Sequence, residues 1–168
     1  VKLLSCIDKI LDRRSIRRYK KEPVPEDIKT KILEAARQAP SAANRQPCRF
    51  IVCEEQGAKD KLAKGKWCGF IKDSAFTVIG VSMPFDEISK RWGVVDTTIA
   101  LQNMVLAAHV QGVGSCWVGD FKEEDVKKEF GIPPEATVVA VISFGIPDET
   151  PGTRVKKPLT EIVHKNKW

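Results

Sequence analysis

Two uninterrupted apolar runs constrain this chain more than any other feature. One is Ala75, Phe76, Thr77, Val78, Ile79, Gly80 and Val81; the other is Thr137, Val138, Val139, Ala140, Val141, Ile142, Ser143 and Phe144. Both have strand length, and neither alternates polar with apolar, so both are predicted to be buried on two faces in the middle of a sheet. Helical patterns interspersed with them supply the covering layers, which points to an α+β layer fold.

Leu3, Leu4, Ile7, Ile10 and Leu11 recur at helical spacing and predict a short first helix that runs into a basic stretch. A second helix follows Pro23 and Val24. Pro25 suits its first position, Glu26 and Asp27 suit its positive end, Ile28, Ile32, Ala35 and Ala39 give an apolar stripe, and Pro40 ends it. Residues 50–53 read as a strand and 57–66 as a charged helix. Residues 99–110 are apolar nearly all round, broken only by Gln102, Asn103 and His109, and their Leu, Met and Ala content favours a helix in a core or an interface. Gly112 and Gly114 stop that helix, 115–118 reads as a strand, and 123–130 is a small helix closed by Gly131.

The length, 168 residues, predicts one domain over 1–168, exposing roughly 8,000 Å² when folded. No apolar run of about 20 residues could cross a bilayer, so no membrane partner is expected. An odd five cysteines (Cys6, Cys48, Cys53, Cys68 and Cys116) without scaffold spacing, and no leader-like stretch before Asp8, suit reduced thiols and a cytoplasmic setting. The net charge of +6 makes a polyanion, a phosphorylated ligand or an acidic surface the partner to test.

Charge is densest between Arg13 and Lys21, where six of nine residues are basic. That run is either a solvated helix end or an anion site, in which Ser15 adds a hydroxyl among guanidinium forks. Nucleic acid fits poorly, because Tyr19 is the one aromatic nearby and no zinc-finger or RNA-recognition signature is present. The loop Pro40, Ser41, Ala42, Ala43, Asn44, Arg45, Gln46, Pro47 is either a plain connection or a set of donors and acceptors suited to the edge of a heterocycle. The stretch from Gly112 to Gly119 follows a helix and enters a strand, the reverse of a dinucleotide fingerprint, though Gly119 lets backbone approach a flat ligand. No metal site is expected: Cys48 and Cys53 face opposite sides of a strand, and the chain has two histidines. His109 reads as a core imidazole and Cys116 as a small buried thiol, so neither is taken as a base or nucleophile.

In this order, Arg13-Arg14-Ser15-Ile16-Arg17, the loop Pro40 to Pro47, Gln102-Asn103-Met104, the stretch Gly112 to Gly119 and the closing Lys157-Pro158-Leu159-Thr160-Glu161-Ile162-Val163 resemble the nitroreductase family of FMN-dependent oxidoreductases. The resemblance implies a mostly antiparallel sheet flanked by helices, with a long central helix, assembled as an intertwined homodimer with FMN in its two clefts. It implies that Arg13 and Ser15, helped by Arg14, hold the phosphate and ribityl end, that Arg17 reaches the pyrimidine edge, and that Arg154 and Lys156 complete the phosphate cage. Pro40, Ser41 and Asn44 would come from the partner subunit, and the backbone of Trp117, Val118 and Gly119 would lie beside N5. The 147–168 tail, with Leu159, Ile162, Val163 and Trp168, would wrap the partner. NADH or NADPH would reduce FMN in a ping-pong cycle that passes electrons to a small acceptor such as a nitroaromatic or quinone, with no side chain as catalytic base. Reductive dehalogenation, flavin breakdown and non-catalytic flavin binding are the alternatives. Two departures stand out. Where longer members carry an Asn and a Lys against the flavin, this chain reads Trp67-Cys68-Gly69-Phe70, and 84–91 is short where others insert roofing helices.

Overall fold

The computed structural model describes residues 6–168; Leu3 and Leu4, expected in the first helix, lie outside them. The chain runs α1 (Cys6–Asp12), α2 (Glu26–Arg37), β1 (Cys48–Cys53), α3 (Gln56–Leu62), β2 (Phe76–Ser82), α4 (Glu87–Val110), β3 (Gly114–Val118), α5 (Glu123–Phe130), β4 (Thr137–Gly145) and α6 (Leu159–Ile162). The four strands form one antiparallel sheet in the order β1-β2-β4-β3, so the two apolar runs are its inner strands. Alternate side chains divide the core between the faces. Phe76, Val78, Ile142 and Phe144 pack with Ile32 of α2 and Leu101, Met104 and Val105 of α4. Ile79, Val81 and Val141 pack on the other face with Leu62 of α3 and Val126 of α5. Phe76 and Phe144, opposite each other in the register, stack at 4.8 Å.

Cys48 and Cys53 belong to different core clusters, as the strand period requires. Pro25 caps α2 rather than opening it. The larger surprise is α4, which begins at Glu87, well ahead of the apolar segment that predicts it. Asp86 accepts the Ser89 N–H (2.7 Å) while Ser89 Oγ accepts the Asp86 N–H (2.9 Å), a capping box that starts the helix inside the short segment at 84–91. The box is hidden in the sequence because Ser89 stands where Glu or Gln is usual.

α4 packs on α2 and the sheet with one face and leaves Ile88, Trp92, Val95 and Ile99 exposed on the other. The tail beyond Pro151 holds one helical turn and is exposed throughout, with Val155 at 100% and Trp168 at 99%. The accessible surface, 10,884 Å², is accordingly well above the roughly 8,000 Å² of a compact chain this size.

Candidate functional site

The basic run becomes a site because it is laid along the sheet edge. Ser15 forms a parallel bridge with Ser115 of β3, and the Ile16 N–H donates to the Ser115 carbonyl at 2.9 Å. Gly114 makes the approach possible: a Cβ there would lie 2.8 Å from Ile16 Cγ1. Tyr19 anchors the other end, 5% exposed, its hydroxyl donating to the Ile16 carbonyl (2.7 Å) and sharing a bond with Ser143 Oγ (2.8 Å). Burial pushes this phenol's pKa up, so it stays a structural group.

So held, Arg13, Arg14, Ser15 and Arg17 wall one side of a cleft of about 330 Å³, and Arg154 and Lys156, far away in sequence, wall the other with Gly152 and Thr153. Glu149 ties the walls together by accepting the N–H groups of Arg17 (2.5 Å) and Arg18 (3.1 Å), a role that nothing in the sequence signals. Arg14 Nη1 donates to the carbonyls of Leu11 and Arg13, both at 2.9 Å. Among the described residues, the five cations of the cleft make no ion pair within 4.0 Å, although elsewhere Arg18, Arg37 and Arg45 each pair with a carboxylate. Five guanidinium and ammonium groups and the Ser15 hydroxyl lining a single cleft, with no carboxylate in the lining itself, form a site for a multiply charged anion such as a phosphate monoester.

Trp117 and Val118 end the strand that this run bridges at Ser115, and Gly119 follows it; none of the three lines the cleft itself, and Val118 is buried and Gly119 exposed. The Trp117 indole N–H donates to Gln102 Oε1 (3.2 Å), and Asn103 Nδ2 donates to the Ala35 carbonyl (3.2 Å), so these two α4 amides brace β3 and α2. Just past Gly119, the Asp120 carboxylate accepts the Trp67 N–H at 2.5 Å, which fastens the departing segment at 67–70 beside the end of β3 and leaves the Trp67 ring 73% exposed. Cys116 is 2% exposed and burial raises its pKa against the pull of Arg17, so it stays a thiol.

Pro40, Ser41 and Asn44 are not part of this cleft. Their loop leads into β1, at the same end of the sheet as Gly119 but on the opposite edge, three strand spacings or roughly 14 Å away. The loop is tightly built. Ala43, Asn44 and Gln46 take positive φ (48°, 54° and 51°), Ser41 Oγ accepts the Gln46 N–H (3.0 Å), Asp96 accepts the Ala42 N–H (3.1 Å), and Arg45 pairs with Asp86 (2.6 Å). Such strain persists only where the surroundings hold it. His109 corrects its core reading: it is half-buried and bonded to Asp12 at 2.5 Å, which joins α4 to α1 and holds the Asp12 carboxyl below its usual pKa. No cluster of metal ligands occurs among the described residues, and no helix among them is long and apolar enough to cross a membrane.

The profile of the nitroreductase family matches residues 10–75 and 66–146, nearly the whole of the sheet and its helices. The chain belongs to the nitroreductase family. A Methanothermobacter thermautotrophicus relative, provisionally named an NADH dehydrogenase/NAD(P)H nitroreductase, is 35% identical over 100% of this chain and 90% of its own length. An FMN-dependent nitroreductase structure from Clostridium difficile R20291 matches 96% of this chain and 99% of its own at 27% identity and a TM-score of 0.82. The Vibrio harveyi NADPH:FMN oxidoreductase, solved with NAD+, shares the fold at a TM-score of 0.91 and 23% identity, over 97% of this chain and 77% of its own.

Proposed function

We propose that this protein is a nitroreductase-family oxidoreductase whose basic cleft holds FMN by its phosphate. The carrying observation is the set of unpaired cations. Arg13, Arg14 and Ser15 on one wall and Arg154 and Lys156 on the other match a phosphate dianion in charge and in donors. The relatives' names support the same cofactor and an NADH or NADPH donor. When bound, FMN supplies the two-electron chemistry, taking hydride from NADH or NADPH and passing electrons on to a small acceptor such as a nitroaromatic or quinone in a ping-pong cycle. The chain's residues bind and tune. Arg17, next along the run, places a cation at the electron-rich edge of the ring, and the backbone of Trp117, Val118 and Gly119 lines the ring where no side chain intrudes. No protein base is required.

The catalyst is a homodimer. Pro40, Ser41 and Asn44 stand on the wrong sheet edge to reach a ligand in their own protomer's cleft, and the apolar stripe of Ile88, Trp92, Val95 and Ile99, with the surplus surface of the tail, supplies an interface. The 147–168 tail belongs to the same single-domain unit and lies over the partner. A cytoplasmic location fits the buried, free thiols of Cys53, Cys68 and Cys116. The test is anaerobic mixing of the purified, FMN-saturated protein with NADH or NADPH. Bleaching of the flavin band, restored by a quinone after the nicotinamide is removed, is expected; a flavin band that neither donor bleaches would refute the enzymatic reading.

A further inference from the structure

The basic run Arg13 to Lys21 is only half used by the cleft. Arg13, Arg14 and Arg17 face it, and Arg18 donates to the Asp148 carbonyl at 2.7 Å. Past the bridge of Tyr19 with Pro147, Lys20 and Lys21 instead wall a second cavity of about 510 Å³, together with Lys59, Lys72, Glu22 and Asp73. We propose that this cavity binds a small phosphate-bearing anion, independently of the flavin cleft, with which it shares no lining residue.

Lys59 carries the inference. It is 8% exposed, its Nζ donates to the Ser74 carbonyl (2.8 Å), and among the described residues no carboxylate lies within 4.0 Å of it. An ammonium taken out of water without a counter-ion is costly, and two of its three donors have no partner among the described residues. Among the described residues the fold neutralises its other buried lysine, and a half-buried one as well. Lys29, 9% exposed, pairs with Glu26 (2.6 Å) and with Glu54, and Lys127 pairs with Glu123 (3.0 Å). Lys59 instead lines a cavity whose rim adds three more lysines. Glu22 and Asp73 stand in the same wall, and neither pairs with any of the four lysines within 4.0 Å. Four cations against two carboxylates leave a surplus that a phosphate dianion cancels.

The floor is rigid before any ligand arrives. Gln56 Nε2 donates to the Lys72 carbonyl (3.2 Å), Ser74 Oγ to the Ile71 carbonyl (2.6 Å), and the Ala75 N–H to the Phe144 carbonyl (2.8 Å), so the turn that holds Lys59 is fixed to the sheet. The volume, about 510 Å³, lies within the range of small-molecule sites, and the lining is charged rather than apolar, which selects a compact, hydrophilic phosphate ester over a flat hydrophobic ligand.

The test is calorimetric titration of the FMN-saturated protein with inorganic phosphate and with pyrophosphate, at constant ionic strength set by chloride. One saturable site is expected. Lys59→Met should weaken it by about tenfold or more, the loss of one charge-assisted contact, with FMN content unchanged. Lys20→Gln combined with Lys21→Gln, at two exposed positions that cannot disturb folding, should do the same. No saturation at millimolar phosphate or pyrophosphate, or unchanged affinity in both variants, would overturn the proposal. So would a site lost with Arg154→Gln and kept with Lys59→Met, which would place the ion in the flavin cleft. If the protein takes up no FMN, the flavin reading fails alone. The titration is then made on the Arg13→Gln/Arg154→Gln variant, with the same outcomes for Lys59.

Discussion

Gly114 tests the link between the sheet and the site. In Gly114→Ala the new methyl would lie 2.8, 2.9 and 3.0 Å from Ile16 Cγ1, Cβ and Cγ2, several tenths of an ångström inside ordinary contact. Ile16 is 7% exposed and β-branched at the point of collision, and its N–H is fixed to Ser115 at 2.9 Å, so it cannot swing away without breaking the bridge. Overpacking of this kind costs about 1–3 kcal/mol, which for a chain of this length lowers the unfolding midpoint by roughly 2–12 °C. Because the displaced segment is the wall that carries Ser15 and Arg17, FMN affinity should fall in parallel. A double-mutant cycle separates collision from loss of burial. Ile16→Ala alone should cost about 2–4 kcal/mol as a cavity, yet in its presence Gly114→Ala should cost less than it does in the parent, because Cγ1 and Cγ2 are gone and Cβ alone is left to collide. Urea unfolding and flavin fluorescence titration read both quantities. A Gly114→Ala protein within about 0.5 kcal/mol of the parent, with equal FMN affinity, would refute this account of how the wall is placed.

Other consequences are equally specific. Arg17→Ala should retain FMN but shift its two-electron potential to more negative values by about 30 mV, the equivalent of about 1.4 kcal/mol, measured by anaerobic redox titration; an unchanged potential removes Arg17 from the ring edge. Asp86, its pKa held down to about 2 chiefly by the Ser89 N–H and hydroxyl and then by Arg45, has a folded value below its unfolded one of 3.8. Its contribution is therefore complete above about pH 4 and lost as pH falls toward 2, so Asp86→Asn should flatten the stability profile in that window in urea unfolding. Gln102→Leu leaves the Trp117 indole N–H without its acceptor and should cost about 1 kcal/mol in the same assay. Deletion of 158–168 should weaken the dimer and release flavin; a truncated chain that stays a flavin-loaded dimer by light scattering and absorbance would remove the tail from the interface.

What the sequence discloses follows from how local each cause is. β2 and β4 are legible because burial on both faces leaves a run with no polar residue facing solvent, and α5 because Gly131, at φ 63°, closes it. The start of α4 is not legible, since its cap relies on a serine and its first turns carry Lys90, Arg91 and Trp92 toward solvent. Arg13 to Arg17 stand out as a charge cluster, but their meeting with Arg154 and Lys156 depends on chain folding across the whole length, and only the family resemblance anticipates it. The left-handed turn at Ala43, Asn44 and Gln46 contains no glycine to betray it. Lys59 looks like its exposed neighbours Lys61 and Lys64, and nothing in its own segment shows that the Ser74 turn covers it.

The central claim is that the cleft recognises a flavin through its phosphate, and the comparison of FMN with riboflavin tests it most directly. Removing the phosphate leaves the ring unchanged and removes only the group that Arg13, Ser15, Arg154 and Lys156 are proposed to hold. Titrated fluorimetrically at fixed ionic strength, FMN should bind about 100-fold or more tightly than riboflavin, the worth of two charge-assisted contacts, and Arg13→Gln with Arg154→Gln should erase most of that preference. Equal affinity for the two flavins, or a preference that survives the double substitution, would contradict the claim.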